Sequence, residues 1–165
     1  MLKNERQKPV LTYTPSESLS DMVNLRILKE LQHDPRVTMS ELGRRVGLSS
    51  PAVAERVRRL EETGVIEGYR LEINPVALGL PIAAYVRIRP NPGQLPKLAE
   101  MAKSIPEIVE CHRVTGEDCF ILKVYLPSLD QLDRILDRFL MFGTTTTSLI
   151  QSSPVPLRPP PLPEI

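Results

Sequence analysis

Six arginines stand between residues 36 and 60, at positions 36, 44, 45, 56, 58 and 59, against two acids, Glu41 and Glu55. The whole chain has a formal net charge of only +1, so basic character is concentrated in this stretch and the remainder is near neutral or slightly acidic. Guanidinium groups at this density suit the neutralisation of phosphates, which gives a salt-dependent affinity blind to base sequence. Arg44, Arg45 and Arg59 are the phosphate candidates. Among them lie side chains of the types that read base edges: Ser49, Ser50, Pro51, Ala54, Glu55 and Arg58. A carboxylate such as Glu55 can accept from a cytosine amino group, and Ala54 or Pro51 can touch a thymine methyl. For one arginine alone, a solvated surface charge is the plainer reading; it is the cluster that points to phosphate. Arg56 suits pairing with Glu55 or with an acid elsewhere in the domain.

Two short helices would have to hold these side chains. Thr38 and Glu41 have the spacing of a capping box, Leu42 and Val46 give one apolar stripe, and Gly47 suits a left-handed C-terminal cap. Ser49, Ser50 and Pro51 then open a second helix, with proline in the first turn where its missing N–H costs nothing. Val53, Val57 and Leu60 are its buried stripe, and Gly64 ends it. Two such helices joined by a tight turn form a helix-turn-helix, whose second helix would enter the major groove of double-stranded DNA. A preceding helix is expected from Ser20 or Asp21 to about Gln32, with Val23, Ile27, Leu28 and Leu31 facing inward and Asp34-Pro35 ending it. Val65, Ile66, Tyr69, Leu71 and Ile73 read as an extended segment that Glu67-Gly68 bends into a small wing.

The second half has another rhythm. Residues 82–89 read as a strand with Ala84, Val86 and Ile88 on one face, followed by a Pro-Asn-Pro-Gly loop. Leu95, Leu98, Ala99 and Ala102 mark a helix, and residues 108–114 and 120–126 two more strands. Ser128 and Gln131 have capping-box spacing before a helix whose Leu129, Leu132, Ile135, Leu136, Phe139 and Leu140 share one side. Gly143 ends it, and a Thr-rich strand runs from 144 to 151. The order β-α-β-β-α-β is ferredoxin-like, with one sheet face covered by the two helices and the other bare, which implies self-association through the sheet. The fold class is therefore α+β, partitioned as an arm over 1–18, a winged helix-turn-helix over 19–73, a hinge over 74–80, a ferredoxin-like domain over 81–152 and a tail over 153–165.

Composition narrows the remaining classes. Hydrophobic content of 41% supports a packed core, while 4% aromatics and no Trp make that core aliphatic. With no signal peptide and no long apolar run, a soluble, cytoplasmic protein with no membrane partner is expected. Cys111, Cys119, His33 and His112 lack zinc-site spacing, so no metal or other cofactor is implied. By antiparallel register Cys119 faces about Val114, and no disulfide with Cys111 is expected. An acylphosphatase-like enzyme on the second half would need an anion loop with a catalytic Arg and Asn, and no such set is present. The arm is either plain disorder or a phosphate contact through Lys3, Arg6 and Lys8. The tail holds six of the chain's seventeen prolines; a polyproline spacer or solvated end is the first reading, and an SH3-type ligand or adaptor the second.

Together these motifs resemble the Lrp/AsnC (leucine-responsive, feast/famine) family of prokaryotic transcription regulators over about residues 20–158. The resemblance rests on Ile27-Leu28, Glu41-Leu42, Gly47-Leu48-Ser49, Arg56-Val57-Arg58-Arg59-Leu60-Glu61, Gly64-Val65-Ile66, the Val-Thr-Gly-Glu loop at 114–117 and the Thr-x-Thr strand at 145–147. It implies a non-enzymatic, sequence-specific DNA-binding regulator, a homodimer or larger assembly (tetramer or octamer), with a RAM- or ACT-like second domain. It also implies a free amino acid as effector, held where domains of different dimers meet, near Gly116, Glu117, Asp118, Cys119, Thr145 and Thr147. Exposed N–H groups and hydroxyls there suit an α-carboxylate, and an acid suits an α-ammonium. The same residues also fit plain structure, with Gly116 a hairpin turn and the threonines strand formers. Two departures stand out: Asn24 replaces a second acid in the first helix, and Cys119 occupies a position where amino-acid-responsive members often carry Asp, with Asp118 one residue earlier. An effector-independent architectural DNA-binding protein is thus an alternative, and a metabolite sensor on the second domain another.

Overall fold

The computed structural model describes residues 19–163; the arm expected over 1–18, with Lys3, Arg6 and Lys8, lies outside the described residues. The chain divides into two compact units, one of residues up to 71 joined by 157–165, the other of residues 72–156.

The first unit holds helices α1 (Met22–His33), α2 (Met39–Val46) and α3 (Ser50–Glu62). Each begins on a side-chain cap. The Asp21 carboxylate accepts from the Val23 N–H at 2.8 Å, the Thr38 hydroxyl from the Glu41 N–H at 3.2 Å, and the Ser49 hydroxyl from the Ala52 N–H at 3.4 Å. Only half of the capping box expected at α2 forms, because the Glu41 carboxylate turns to Arg44 and Arg45. Bonds to a charged guanidinium outcompete one to a neutral backbone N–H. Gly47 takes the left-handed conformation (φ 75°) that stops α2, as expected of glycine at that position. The shared core is Ile27, Leu28, Leu31, Val37, Leu42, Val46, Val53, Val57 and Leu60. Gly43 lies inside α2 where it meets the turn: a Cβ there would sit 2.6 Å from the Leu48 carbonyl oxygen. Past α3, the Tyr69 hydroxyl donates to Glu61 at 3.1 Å, while residues 67–74 form neither helix nor strand and leave Tyr69, Leu71 and Ile73 exposed.

The second unit runs β1 (Ile82–Pro90), α4 (Leu95–Lys103), β2 (Ile108–Arg113), β3 (Phe120–Leu126), α5 (Leu129–Leu140), β4 (Gly143–Leu149). All neighbours in the sheet are antiparallel, in the order β2-β3-β1-β4. Ala84, Val86, Ile88, Phe120, Leu122, Val124 and Leu126 pack against Leu98, Ala102, Leu132, Ile135 and Phe139 of the two helices. The box expected at Ser128 and Gln131 is absent, since Ser128 makes no side-chain cap. Leu129 and Leu140 are 51% and 61% exposed rather than on the buried side. Leu132, Ile135 and Phe139 form the stripe, and Leu140 falls one residue, about 100°, off it. Gly143 pairs with Pro90, and a Cβ on it would lie 2.3 Å from the Arg89 carbonyl oxygen. That close approach of two backbones explains a glycine here better than any turn requirement.

The proline-rich end departs from the solvated spacer expected of its composition. Pro160 accepts a hydrogen bond from the Gln32 side chain at 3.1 Å, and Leu162 packs, half-buried, against the core of the first unit. Of the apolar residues among these prolines, Val155 and Leu157 stay exposed and Leu162 alone of the three packs on that core.

Candidate nucleic-acid interface

The arginines differ in how far their charge is already spent. Arg45 bridges Glu41 at 2.9 Å and Glu30 of α1 at 3.0 Å, tying α2 to α1. Arg56 is held by Asp21 and by Asn24 at 2.9 Å, so its acid does lie elsewhere in the domain. Arg58 bonds Glu55 at 2.7 Å and also Glu62. Arg44 and Arg59 each share their acid with another arginine, Glu41 and Glu55 respectively, and remain 76% and 72% exposed. Both therefore keep donors facing solvent, which a phosphate oxygen can accept from.

Arg44 lies in the last turn of α2, just before α3 opens, and Arg59 in the last turn of α3. Ser49, Ser50 and Pro51 are exposed, and Ala54 and Glu55 half-buried. Ser49 spends its hydroxyl oxygen on the Ala52 N–H, leaving Ser50 as the unspent hydroxyl of the turn pair among the bonds formed here. Glu55 accepts from Arg58 and Arg59 together, so reading a base with it means giving up one of them. Glu55 has arginines at i+1, i+3 and i+4, and those at i+3 and i+4 reach it, as helix spacing dictates, while Arg56 turns to Asp21.

Arg44, then Arg45, hold the Glu41 carboxyl down at about 2, and Arg58, then Arg59, hold Glu55 down at about 2. An acid depressed in the folded state stabilises fully above its unfolded value, and that contribution is lost as pH falls toward the folded one. The α2–α3 pair should therefore lose helical signal progressively between about pH 4.5 and about pH 2. Circular dichroism of the wild type against a Glu41→Gln/Glu55→Gln variant checks this; parallel acid titrations would show that these carboxylates carry none of it.

In the second unit, Gly116 has φ 111° with open space where a Cβ would stand, so its conformation, not crowding, calls for glycine. Its loop is closed by the Val114 N–H donating to the Cys119 carbonyl at 2.9 Å, in the register expected. The Cys119 thiol points back at the Gly116 carbonyl, 3.5 Å away. Arg89, at the end of β1, pairs with Glu117 and lies 3.7 Å from Asp118. This is the residue that sequence reasoning missed, although its alternation with buried Val86 and Ile88 marked it as facing away from the core. Thr145 and Thr147 lie opposite Ile88 and Val86, half-buried on the helix-covered side and separated from the loop's strand by β1. The loop and the threonines thus share one end of the sheet without touching a common bare face. Among the described residues no three His, Cys, Asp or Glu side chains gather as a metal site, and no helix is long and apolar enough to cross a membrane.

Residues 22–67 match the family model for winged helix-turn-helix DNA-binding domains, and residues 83–160 that for the Lrp/AsnC ligand binding domain. The chain is 35% identical over 132 residues to the HTH-type transcriptional regulator LrpC of Bacillus subtilis, covering 80% of this chain and 92% of that protein. The solved structure of LrpC superposes with a TM-score of 0.76 at 34% identity, over 81% of this chain and 95% of the other. A feast or famine regulatory protein from Mycobacterium tuberculosis, complexed with L-methionine, gives a TM-score of 0.80 at 36% identity, over 87% and 99% of the two chains.

Proposed function

The chain belongs to the Lrp/AsnC family of HTH-type transcriptional regulators, and on that premise we propose that it reads DNA with paired α3 helices and answers to a free amino acid at the Gly116 loop. The observation that carries the DNA reading is the exposed opening turn of α3, together with Arg44 in the last turn of α2 and Arg59 in the last turn of α3, both exposed. Arg44 and Arg59 take phosphates and set the docking angle. Ser50, Pro51 and Ala54 meet base edges, and Arg58 and Glu55 do so at the cost of their mutual pair. Arg45 keeps α2 against α1 rather than contacting DNA.

Gel shifts with genomic fragments across a salt series test this. Arg44→Ala/Arg59→Ala should bind more weakly on every fragment, and the slope of log affinity against log salt should flatten by about 2, at ~0.9 for each phosphate no longer neutralised. An unchanged slope would remove both residues from the interface.

For the effector, support comes from the family's ligand-binding model over 83–160, from the relative complexed with L-methionine, and from loop chemistry. Backbone groups beside Gly116 meet the α-carboxylate; Glu117 or Asp118, which Arg89 now neutralises, meets the α-ammonium. Self-association through the bare face of the sheet, where Tyr85 is 41% exposed, brings copies of this loop together. An effector acts by favouring one assembly over another. Titrating single amino acids while following oligomer mass and thermal stability is the direct measurement; no response to any of them leaves an effector-independent DNA-binding protein.

A further inference from the structure

The C-terminal tail ends on the DNA-binding unit. Leaving β4 at Leu149, the chain runs through half-buried Ile150 and exposed residues 151–156 and rejoins the first unit at Leu157. There Gln32, near the end of α1, donates through its side-chain amide to the Pro160 carbonyl at 3.1 Å. Two residues on, Leu162 is half-buried against the apolar core shared by α1, α2 and α3, while its neighbours Pro161 and Pro163 are exposed. We propose that the end of α1 is a docking surface for a polyproline segment with a leucine anchor, and that its occupant is this chain's own tail, residues 157–163.

The chemistry of the segment fits the contact. Pro159, Pro160 and Pro161 fix φ and favour the polyproline II form, so little conformational freedom remains to be lost on docking. Polyproline carbonyls make no internal hydrogen bonds and face outward, where an amide such as Gln32 can donate to one. Leu162 supplies the apolar area. The contact is small, one half-buried leucine and one exposed hydrogen bond, which makes a strap that opens and closes rather than a permanent part of the core. None of its residues lies in the Gly116 loop, so the docking stands whether or not that loop takes an effector.

The test uses the chain of 165 residues. Leu162→Asp should lower the melting temperature of the DNA-binding unit by a few degrees and leave that of the second unit unchanged. A labelled peptide of residues 153–165 should bind saturably to the Leu162→Asp chain, more weakly to the wild type, whose own tail competes, and more weakly to a Leu162→Asp/Gln32→Ala chain. The same peptide carrying aspartate at position 162 should not bind. Equal melting of the wild type and Leu162→Asp, with no saturable peptide binding, would overturn the proposal. So would a stabilisation that disappears on dilution of the wild type, which assigns the strap to a neighbouring copy.

Discussion

Gly43→Ala lowers the stability of the DNA-binding unit by about 1–3 kcal/mol, the usual cost of overpacking a tight contact, and reduces DNA affinity by more than that loss accounts for. Intrinsic propensity argues the other way, since alanine in a helix interior is favoured over glycine by up to about 1 kcal/mol. The contact decides the sign. A Cβ at position 43 would stand 2.6 Å from the Leu48 carbonyl oxygen and 3.4 Å from the Ser49 carbonyl. Both are backbone groups, which have no rotamer to retreat into. The Leu48 N–H is also bonded to the Gly43 carbonyl at 2.8 Å, pinning the turn onto α2. The turn must lift, and α3, capped by Ser49 within it, lifts with it. Displacement of α3 by even an ångström would misplace Ser50 and Ala54, the proposed base readers. Thermal denaturation beside gel shifts checks this; a variant that melts at or above the wild type, with DNA affinity intact, would show the turn to be compliant.

The second large effect lies in the other unit. Phe139 is fully buried between α5 and the sheet, and Phe139→Ala should cost about 3–5 kcal/mol. Against the roughly 5–15 kcal/mol that holds a domain folded, that leaves the second unit marginal. The two units have separate hydrophobic cores, so the first should still show its own unfolding transition near the wild-type temperature. If the heads are paired through the second unit as proposed, DNA affinity should nonetheless fall by about 10²-fold or more, because separated heads lose the gain of binding together. Differential scanning calorimetry and analytical ultracentrifugation of the same preparation separate these effects. If the variant keeps wild-type mass and affinity, assembly does not depend on this unit.

The three helices of the first unit were readable because their signals are local. Asp21, Thr38 and Ser49 cap, Gly47 stops, and the apolar stripes repeat within a few residues. What was not readable depends on groups far apart in the chain or on competition within one turn. Arg89 meets Glu117 only because three strands align in one register, and nothing near Arg89 in sequence announces it. The Thr-x-Thr pattern at 145–147 identified a strand, but which side it showed was set by pairing with Val86 and Ile88. The half-formed cap at Thr38 failed for a different reason: Glu41 had two guanidinium groups within reach as well as a backbone N–H. Leu162 was hidden by averaging, since a window of six prolines reads as solvated however any one of its few apolar residues behaves.

The shared carboxylates of α2 and α3 have one more implication, for the search along a genome. A head whose cations arrive already matched by Glu41 and Glu55 exchanges partners on meeting a duplex and does not simply acquire them. Random stretches, which offer phosphates alone, repay that exchange poorly; a correct operator adds base contacts on top. With the phosphate and base contacts proposed above, such a protein would let go quickly of the many wrong addresses and linger at the few right ones.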